Sequence, residues 1–433
     1  MSLALMSFIL LVGMILLLSL GVEIAPAMGI TAGLGMLLFV HQPLDYFPRA
    51  AFEIMNSFTF TAIPLFVFMG AVYSNTGIIG SLFRGSEKMF GTLPGSLASA
   101  VIMANAIFGA ISGSSLAAVA TFGKICFPEM EKAGYDAKLS LGAIAISGTL
   151  SVLIPPSVIL IVYGGWLDVS VARLFAGGIV PGIILSLFFI ITVTLLVIHN
   201  PRLAPEIPKS TMRQRVRAFL DLLPFMAVIA LVLGTIFSGV MTPTESASLG
   251  AFLSLVLALL YRRMTFQALK DSMWAAVTIT SMIAFVLFTA RMLGQVFQYI
   301  GLTEAFSAFM TGLPLGKYSV FAIICLMYLI MGCFFDALSM LVLTLPFVTP
   351  IIKDLGFDFI WFGVVYVVIA EIGLVTPPYG LNLFVLKGVL PQYEITTIFL
   401  GTLPFLIPTI ILIVLLVLFP ELILWLPNLL YAR

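Results

Sequence analysis

A succession of long apolar segments, separated by short polar stretches, limits what this 433-residue chain can fold into. A bilayer core is about 30 Å thick, and a helix needs about 20 apolar residues to cross it. Hydrophobic residues make up 61% of the chain and charged residues 9%, whereas about 25% of residues are charged in soluble globular proteins. The sequence therefore predicts an all-α polytopic protein of the lipid bilayer, with about ten spans.

The composition excludes several classes of protein. Twenty lysines and arginines against nineteen acidic residues leave a net charge of +1, so we expect no nucleic-acid partner. Cys126, Cys325 and Cys333 lie in apolar runs without a C-x-x-C spacing, which argues against a zinc site. The first apolar run begins at Leu3 with no basic segment before it, and we interpret it as a retained span.

One long polar segment, residues 199–218, separates a first half (1–198) from a second half (219–433). By the positive-inside rule the linker is predicted to be cytoplasmic, because it contains Arg202, Lys209, Arg213, Arg215 and Arg217. With five crossings before the linker and five after it, the two halves are inverted relative to each other. Both termini then lie outside.

Two apolar segments, residues 95–127 and 317–349, are too long for a single span. Each has 33 residues, which would extend about 50 Å as one helix. Their centres are polar: Ser112-Gly113-Ser114-Ser115 in the first, and Asp336 with Ser339 in the second. We therefore predict two re-entrant helical hairpins that reach the middle of the membrane. Small-residue helix packing is the alternative explanation of the first centre.

The two halves match at a constant shift of 222 residues. Pro128, Gly134, Asp136, Pro155 and Pro156 recur as Pro350, Gly356, Asp358, Pro377 and Pro378. At the same shift Ser114 in the first hairpin falls on Asp336 in the second. Inverted repeats with interrupted helices are typical of secondary transporters, whose ion and substrate sites lie at the membrane midplane.

Each half has a proline pair inside an apolar span, Pro155-Pro156 within residues 139–164 and Pro377-Pro378 within residues 359–388. Proline lacks the backbone donor and disfavours helix at the preceding residue, so both helices should be broken there. In hydrocarbon the freed carbonyls need partners, and a sodium ion is one. A kink relieved by a neighbouring helix or a water is the alternative, but two symmetry-related pairs favour the ion.

Four further polar residues lie in apolar surroundings. Asp336 could ligate a cation, cap a hairpin limb or titrate. Asn382 could bind substrate or cap a broken limb. Arg291 suits a substrate carboxylate, although snorkelling to the outer interface is the commoner fate of such a residue. Glu371 is either a buried ion-pair partner or a coupling group, and the sequence leaves this open.

Three sets of motifs resemble the large membrane subunit of tripartite ATP-independent periplasmic (TRAP) transporters. They are GVMTPTESASLGAF at residues 239–252, ISGSSLAAVATFG at residues 111–123, and the paired LIPPS and VTPPYGLN. The resemblance covers essentially the whole chain. It implies a sodium-driven elevator in the bacterial inner membrane, in which hairpins and broken helices slide against a scaffold. It also implies periplasmic termini and two partners, a small four-helix membrane subunit and a soluble periplasmic protein that delivers an organic acid.

The same resemblance implies two sodium sites and no other cofactor. The first lies between a hairpin tip and a helix break and comprises Ser112, Gly113, Ser114, Ser115, Thr149, Ser151, Pro155 and Pro156. The second comprises Gly332, Asp336, Ser339, Gly373, Val375, Thr376, Pro377 and Pro378. Substrate would bind between the two tips, and the candidate contacts are Ser115, Asn382 and Arg291.

The favoured cargo is N-acetylneuraminate, although the family also has dicarboxylate members. One alternative is a stand-alone sodium/dicarboxylate symporter that needs no binding protein. A remote alternative is an intramembrane serine protease, but residues 110–113 read AISG, whereas such enzymes need G-x-S-G and a histidine at membrane depth. Residues 312–319 lack P-loop spacing, so we expect an ion gradient and not ATP to supply the energy.

Overall fold

The computed structural model describes residues 2–40, 46–91, 93–205 and 211–431, and all regular secondary structure in these ranges is helical. The helices of the first half are α1 (Leu3–Ser19), α2 (Ile24–Gly35, continued by the π-helical Met36–Val40), α3 (Tyr46–Met55), α4 (Ala62–Asn75), α5 (Ile79–Phe90), α6 (Ser96–Ser112), α7 (Ser115–Lys132), α8 (Ala137–Ser147), α9 (Leu150–Leu153), α10 (Val158–Leu167) and α11 (Val171–His199). Those of the second half are α12 (Met212–Phe237), α13 (Pro243–Leu260), α14 (Phe266–Tyr299), α15 (Leu302–Thr311), α16 (Lys317–Gly332), α17 (Ala337–Asp354), α18 (Phe359–Gly373), α19 (Leu381–Val389), α20 (Ile395–Leu418) and α21 (Glu421–Tyr431).

The predicted all-helical, multi-span fold is confirmed. Within the described ranges, seven helices are long and apolar enough to cross a bilayer when α8 to α10 are taken as one, and α17 is among them. The pair α4 and α5, bent by 74°, makes an eighth. If α17 is left out as a hairpin limb, seven of these eight spans remain. Three shorter apolar helices, Leu3–Ser19, Ile24–Val40 and Phe359–Gly373, then bring the number to the expected ten.

The chain doubles back on itself at two places. The ring centroids of Phe108 in α6 and Phe122 in α7 are 5.7 Å apart, and the hydroxyl oxygens of Tyr328 in α16 and Thr344 in α17 are 2.9 Å apart. In continuous helices these residues would be separated by more than about 20 Å. Thus α6 and α7 form a first hairpin, and α16 and α17 form a second.

Both hairpins extend further than the apolar pattern indicates, to Lys132 and Asp354. Their last turns are polar but remain helical, because the helix is stopped only where the backbone turns left-handed. That happens at Gly134 (φ +77°) and Gly356 (φ +71°), which are equivalent at the 222-residue shift. Glycine adopts this conformation without the steric cost that a Cβ imposes.

The 222-residue shift also relates the caps that begin equivalent helices. The side chains of Ser114 and Asp336 accept hydrogen bonds from the first turns of α7 and α17. Asp136 and Asp358 do the same for α8 and α18. A side-chain oxygen at this position satisfies N–H groups that have no partner inside the helix. The correspondence between the halves therefore extends from residue identity to local geometry.

The two broken helices are α8 to α10 and α18 to α19. The first is interrupted between Leu153 and Val158, and the second between Gly373 and Leu381. Each gap contains a proline pair, and both Pro–Pro peptide bonds are cis. The backbone is therefore non-helical at the two places where the prolines predict it.

The linker predicted at residues 199–218 is shorter than its polarity indicates. Thr211 caps α12 by a reciprocal pair of hydrogen bonds with Gln214, so the helix already begins at Met212. Arg213, Arg215 and Arg217 consequently lie in the first turns of α12. Lys209 lies outside the described residues.

The two halves interlock and do not form separate bodies. A Cβ on Gly142 of α8 would lie 2.0 Å from the carbonyl oxygen of Gly401 in α20, so these two backbones are in direct contact. The rings of Phe127 in α7 and Tyr393, which precedes α20, are 5.0 Å apart. Such close backbone approach between small residues is typical of helix packing in membranes.

Candidate functional site

A cavity of about 250 Å³ lies between the two hairpin tips, and we call it the tip cavity. Residues 112–117 of the first hairpin and 336–338 of the second line it. Helices α4 and α14 and the two helix breaks complete the wall. Their lining residues include Val67, Ser74 and Asn75 of α4, Ile279, Met282 and Ile283 of α14, Val152 and Val158 at the first break, and Glu371 and Leu374 at the second. The position between the tips, where we expect substrate, is therefore a cavity bounded by both halves.

The first hairpin touches the first helix break at backbone level. Gly113 has φ +60°, and a Cβ there would lie 2.9 Å from the carbonyl oxygen of Pro156. A Cβ on Gly109 would lie 2.4 Å from the Cα of Ser151. Among the residues that the structure describes, the buried hydroxyls of Ser112 and Ser151 have no hydrogen-bond partner. The residues in contact thus include one backbone carbonyl that faces the tip and two serines whose hydroxyls are unpaired.

The other residues predicted for the first sodium site differ in which hydrogen bonds their side chains already make. The Thr149 hydroxyl donates to the carbonyl oxygen of Ile146 at 2.6 Å, which leaves its oxygen able to accept or ligate. Ser114 is the cap of α7, and its hydroxyl accepts from the N–H of Ala117 at 3.4 Å. Pro155 lies with Pro156 in the non-helical gap, and its only polar atom is its backbone carbonyl oxygen.

The second hairpin meets the second break in the same manner. A Cβ on Gly373 would lie 2.6 Å from the Cα of Gly332. At the 222-residue shift, Ser151 corresponds to Gly373. Gly109 corresponds to position 331, next to Gly332. The two tip-to-break contacts are therefore related by the internal repeat, and the structure brings together Gly332 and Gly373 of the predicted second site.

The residues that follow Gly373 form a tight turn and not a helix. The N–H of Val375 donates to the carbonyl of Ile372 at 3.1 Å, and the Thr376 hydroxyl donates to the same carbonyl at 2.7 Å. Pro377 and Pro378 follow, without N–H groups to donate.

Asp336 is the N-cap of α17. One of its carboxylate oxygens accepts from the N–H groups of Leu338 and Ser339, both at 3.0 Å. Of the three roles open to Asp336 from the sequence, capping is the one with visible contacts, and the residue also lines the tip cavity. Ser339 contributes its backbone N–H to this cap.

Glu371 is a site residue that the predicted ligand sets omit. It is 3% exposed, lines the tip cavity and accepts a hydrogen bond from the Ser115 hydroxyl at 3.4 Å. Its second carboxylate oxygen has no partner among the described residues. This contact joins the first hairpin to the second broken helix. A charged residue within an apolar run was the signal that could have placed Glu371 in the site.

Asn382 is completely buried at the start of α19, but it does not line the tip cavity. Its backbone N–H donates across the break to the carbonyl of Leu374 at 3.0 Å. Neither the amide oxygen nor the amide nitrogen of the side chain has a partner within the described part of the chain. The predicted substrate contact is therefore a buried polar group behind the cavity wall.

Arg291 also lies away from the tip cavity. It is eight residues beyond Ile283 along α14, about 12 Å. Its guanidinium is 3.7 Å from a carboxylate oxygen of Glu53 and 5.5 Å from the ring centroid of Trp166. The residue lines a separate cavity of about 410 Å³.

Two hairpins whose tips meet broken helices around one cavity, in a polytopic helical protein, define a secondary-transporter permease. The family described as "Tripartite ATP-independent periplasmic transporter, DctM component" matches residues 11–422, and the chain belongs to this family. It is a transporter subunit and not an enzyme, so the protease alternative is wrong. A TRAP system transports an organic substrate with a periplasmic binding protein, and membership implies the small membrane subunit as a further partner.

Relatives named for different substrates are about equally similar to the chain. The C4-dicarboxylate TRAP transporter large permease protein DctM of Pseudomonas aeruginosa is 32% identical, with 93% of this chain and 94% of the relative covered. The isethionate permease DctMQ of Oleidesulfovibrio alaskensis is 33% identical, with 86% and 59% covered. The sialic acid permease SiaT of Haemophilus influenzae is 32% identical, with 87% and 61% covered.

A solved transporter structure shares the fold. The YdaH transporter of Alcanivorax borkumensis matches with a TM-score of 0.52 at 15% sequence identity, and the match covers 85% of this chain and 89% of that chain. At this identity the likeness concerns the arrangement of helices alone.

Proposed function

We propose that this chain performs sodium-coupled uptake of an organic acid across the bacterial inner membrane by an elevator movement, with cargo delivered by a periplasmic binding protein. The observation that carries the proposal is the pair of repeat-related contacts between hairpin tips and helix breaks on either side of one cavity. The hairpins and broken helices are the moving part. The scaffold includes α14, an unbroken helix of 34 residues that lines the cavity.

Sodium is supported by the kind of atoms that gather at the two contacts. Transporters of this architecture coordinate sodium with backbone carbonyls from unwound helix segments. The first contact brings together the Pro156 carbonyl and the unpaired hydroxyls of Ser112 and Ser151. The second lies beside the turn that contains Val375 and Thr376. We assign one sodium ion to each contact.

An anionic substrate is supported by the direction of two helices. Helices α7 and α17 begin at Ser115 and Ala337, and both residues line the tip cavity. The N–H groups at a helix N-terminus carry partial positive charge and form a natural site for a carboxylate. Both termini face the same space, but at α17 the Asp336 carboxylate already accepts from the N–H groups of Leu338 and Ser339, so most of this support comes from α7. We propose N-acetylneuraminate as the first cargo to test, with a C4-dicarboxylate and isethionate beside it, since relatives named for all three are about equally similar.

The test is uptake by the complete system. The chain is reconstituted in liposomes with its small membrane subunit, the binding protein is added outside, and labelled N-acetylneuraminate, succinate and isethionate are supplied in parallel under an inward sodium gradient. We expect uptake of one acid that requires all components and collapses when potassium replaces sodium. Uptake by the chain alone would favour the stand-alone symporter, and uptake that persists without sodium would refute the coupling ion.

The first sodium site has its own variants in this assay. Ser112→Ala and Ser151→Ala each remove one oxygen, and we expect the half-saturating sodium concentration to rise about tenfold, equivalent to about 1.4 kcal/mol. Ser99→Ala is the matched control, because Ser99 is also a buried, unpaired serine but lies about 20 Å from Ser112 along α6, away from the contact between tip and break. An equal effect of all three variants would contradict the assignment.

A further inference from the structure

A second polar cavity, of about 410 Å³, lies further along α14. The polar residues of its wall are Arg291, Gln295, Gln298, Thr303, Glu304 and Thr349. We call it the distal cavity. It shares no lining residue with the tip cavity.

The same two helices form walls of both cavities. Helix α14 contributes Ile279 to the tip cavity and Gln295 to the distal cavity, and these residues lie about 24 Å apart along the helix. Helix α17 contributes Leu338 to the first cavity and Thr349 to the second. The contact between α14 and α17 therefore runs from one cavity to the other, and Gly294 keeps it close: a Cβ there would lie 3.1 Å from Pro346.

The distal cavity has hydrogen-bonding groups that nothing in the described part of the chain satisfies. The hydroxyl oxygens of Thr303 and Thr349 are buried without a partner, and Thr303 as a whole residue is 8% exposed. The side-chain oxygen of Gln295 accepts from the Tyr46 hydroxyl at 3.0 Å, so its NH₂ group is the end left to donate. Buried hydroxyls without partners are costly, and a polar ligand would satisfy them.

Among the described residues of this wall, Arg291 is the one basic residue and Glu304 the one acidic residue, and the ion pair of Arg291 with Glu53 leaves guanidinium donors free. Its closest approach to Glu53 is 3.7 Å, beyond hydrogen-bond distance. The other carboxylate oxygen of Glu53 is already 3.3 Å from the Nε of Arg49. Two arginines thus share one carboxylate. The planar guanidinium of Arg291 keeps donors for a second carboxylate, which it can bind through two parallel hydrogen bonds.

We propose that the distal cavity is a second binding site for an organic acid, in which Arg291 holds the carboxylate and Gln295, Thr303 and Thr349 hold its other polar groups. The identity of the acid rests on the proposed function, and we take it to be the transported one. The site is separate from the position between the tips, and the α14–α17 contact connects the two.

The test measures the accessibility of one wall residue to a thiol reagent. Cys126, Cys325 and Cys333 are replaced by alanine, Gln298→Cys is introduced at an exposed wall position, and the protein is held in nanodiscs with its small subunit. Labelling by sulfonatoethyl methanethiosulfonate is timed with and without N-acetylneuraminate, succinate or isethionate at about 10 mM, well above a micromolar dissociation constant. We expect one acid to slow labelling by about threefold or more, and Arg291→Gln to abolish this protection.

Three controls separate a ligand site from a structural effect. Arg49→Gln removes the other partner of Glu53, and Glu53→Gln removes the ion pair itself; we expect protection to persist in both. Ala117→Phe fills the tip cavity, and protection should persist there too because the two cavities are separate. Protection that survives Arg291→Gln, or that any control variant abolishes, would overturn the proposal.

The labelling needs no transport, so the two proposals can fail independently. If the complete system takes up an acid that never slows labelling, the distal site is refuted and the transport function stands. If an acid protects Gln298→Cys through Arg291 but no acid is taken up, the distal site stands and the proposed transport fails.

Discussion

At the scale of single residues, the hairpin tips and the broken helices contain buried polar atoms without partners. Ser112, Ser151, Glu371 and Asn382 each have at least one such atom within the described ranges. An unsatisfied buried group costs about 1 to 3 kcal/mol. Residues that lower stability in this way are common where a protein binds ligands, because the ligand supplies the missing contacts.

Asn382 allows a test of whether an unpaired buried group lowers stability and serves ligand binding. We expect Asn382→Leu to raise stability by up to about 1 to 3 kcal/mol, because the leucine has the same branching and number of side-chain heavy atoms and leaves no buried polar atom unpaired. We expect the same variant to lose uptake if the amide binds ligand during transport. Thermal unfolding of the detergent-solubilised complex and the uptake assay measure the two effects.

Asn105→Leu is the contrasting control. Asn105 is also completely buried, but its amide donates to the Ser147 hydroxyl at 2.5 Å, so its replacement removes an existing hydrogen bond. We expect this variant to be less stable than the unmodified chain. If Asn382→Leu is destabilised in the same way, Asn382 has a structural partner and the ligand role is wrong.

At the scale of elements, the two hairpins are positioned by glycines on their first limbs. Gly109 allows α6 to approach the first broken helix, and Gly332 allows α16 to approach the second. A side chain at either position would push the hairpin away from the break. The ion sites that we propose therefore depend on how closely two helices pack, and not only on which oxygens they carry.

Gly109→Ala tests this dependence. The added methyl group would lie 2.4 Å from the Cα of Ser151, and overpacking of this kind costs about 1 to 3 kcal/mol. We expect lower thermal stability and a higher half-saturating sodium concentration. Gly234→Ala in α12 is the control, because nothing lies within 4 Å of the position that its methyl group would occupy, and alanine favours helix by about 0.5 to 1 kcal/mol. If both variants have the same thermal stability and the same half-saturating sodium concentration, sodium binding does not depend on the close approach of α6 to the first break.

At the scale of the whole molecule, the sequential halves are not the working units. The first hairpin contacts the second half at Glu371, through Ser115, and at Tyr393, whose hydroxyl donates to Glu131 at 2.7 Å. The first broken helix lies against α20 through Gly142. Elements from both halves thus pack as one group around the tip cavity.

The orientation of this group in the membrane is a further prediction. The basic residues of the linker place it in the cytoplasm, and five crossings per half place both termini in the periplasm. Alkaline phosphatase fused after the last residue should be active, and green fluorescent protein at the same position should be dark. Fusions made within residues 199–218 should behave in the opposite way. The same result at both places would mean an even number of crossings in the second half.

The internal repeat shows how much of the fold could be predicted from the sequence. Pro155 and Pro377 locate the breaks, and the polar centres locate the hairpin tips, because proline chemistry and helix length act within a few residues. The apolar pattern does not predict the helix ends at Lys132 and Asp354, because polar last turns resemble loops when only hydropathy is considered.

The sequence by itself determined the helical class, the repeat, the breaks and the tips, because a bilayer forces each segment to satisfy its own backbone hydrogen bonds. Only the tertiary structure decided which side chains meet. Ser115 and Glu371 are 256 residues apart and share one hydrogen bond. Arg291 lies on a helix that lines the tip cavity, yet it faces another one. Such contacts depend on how distant helices pack, and no local pattern encodes that.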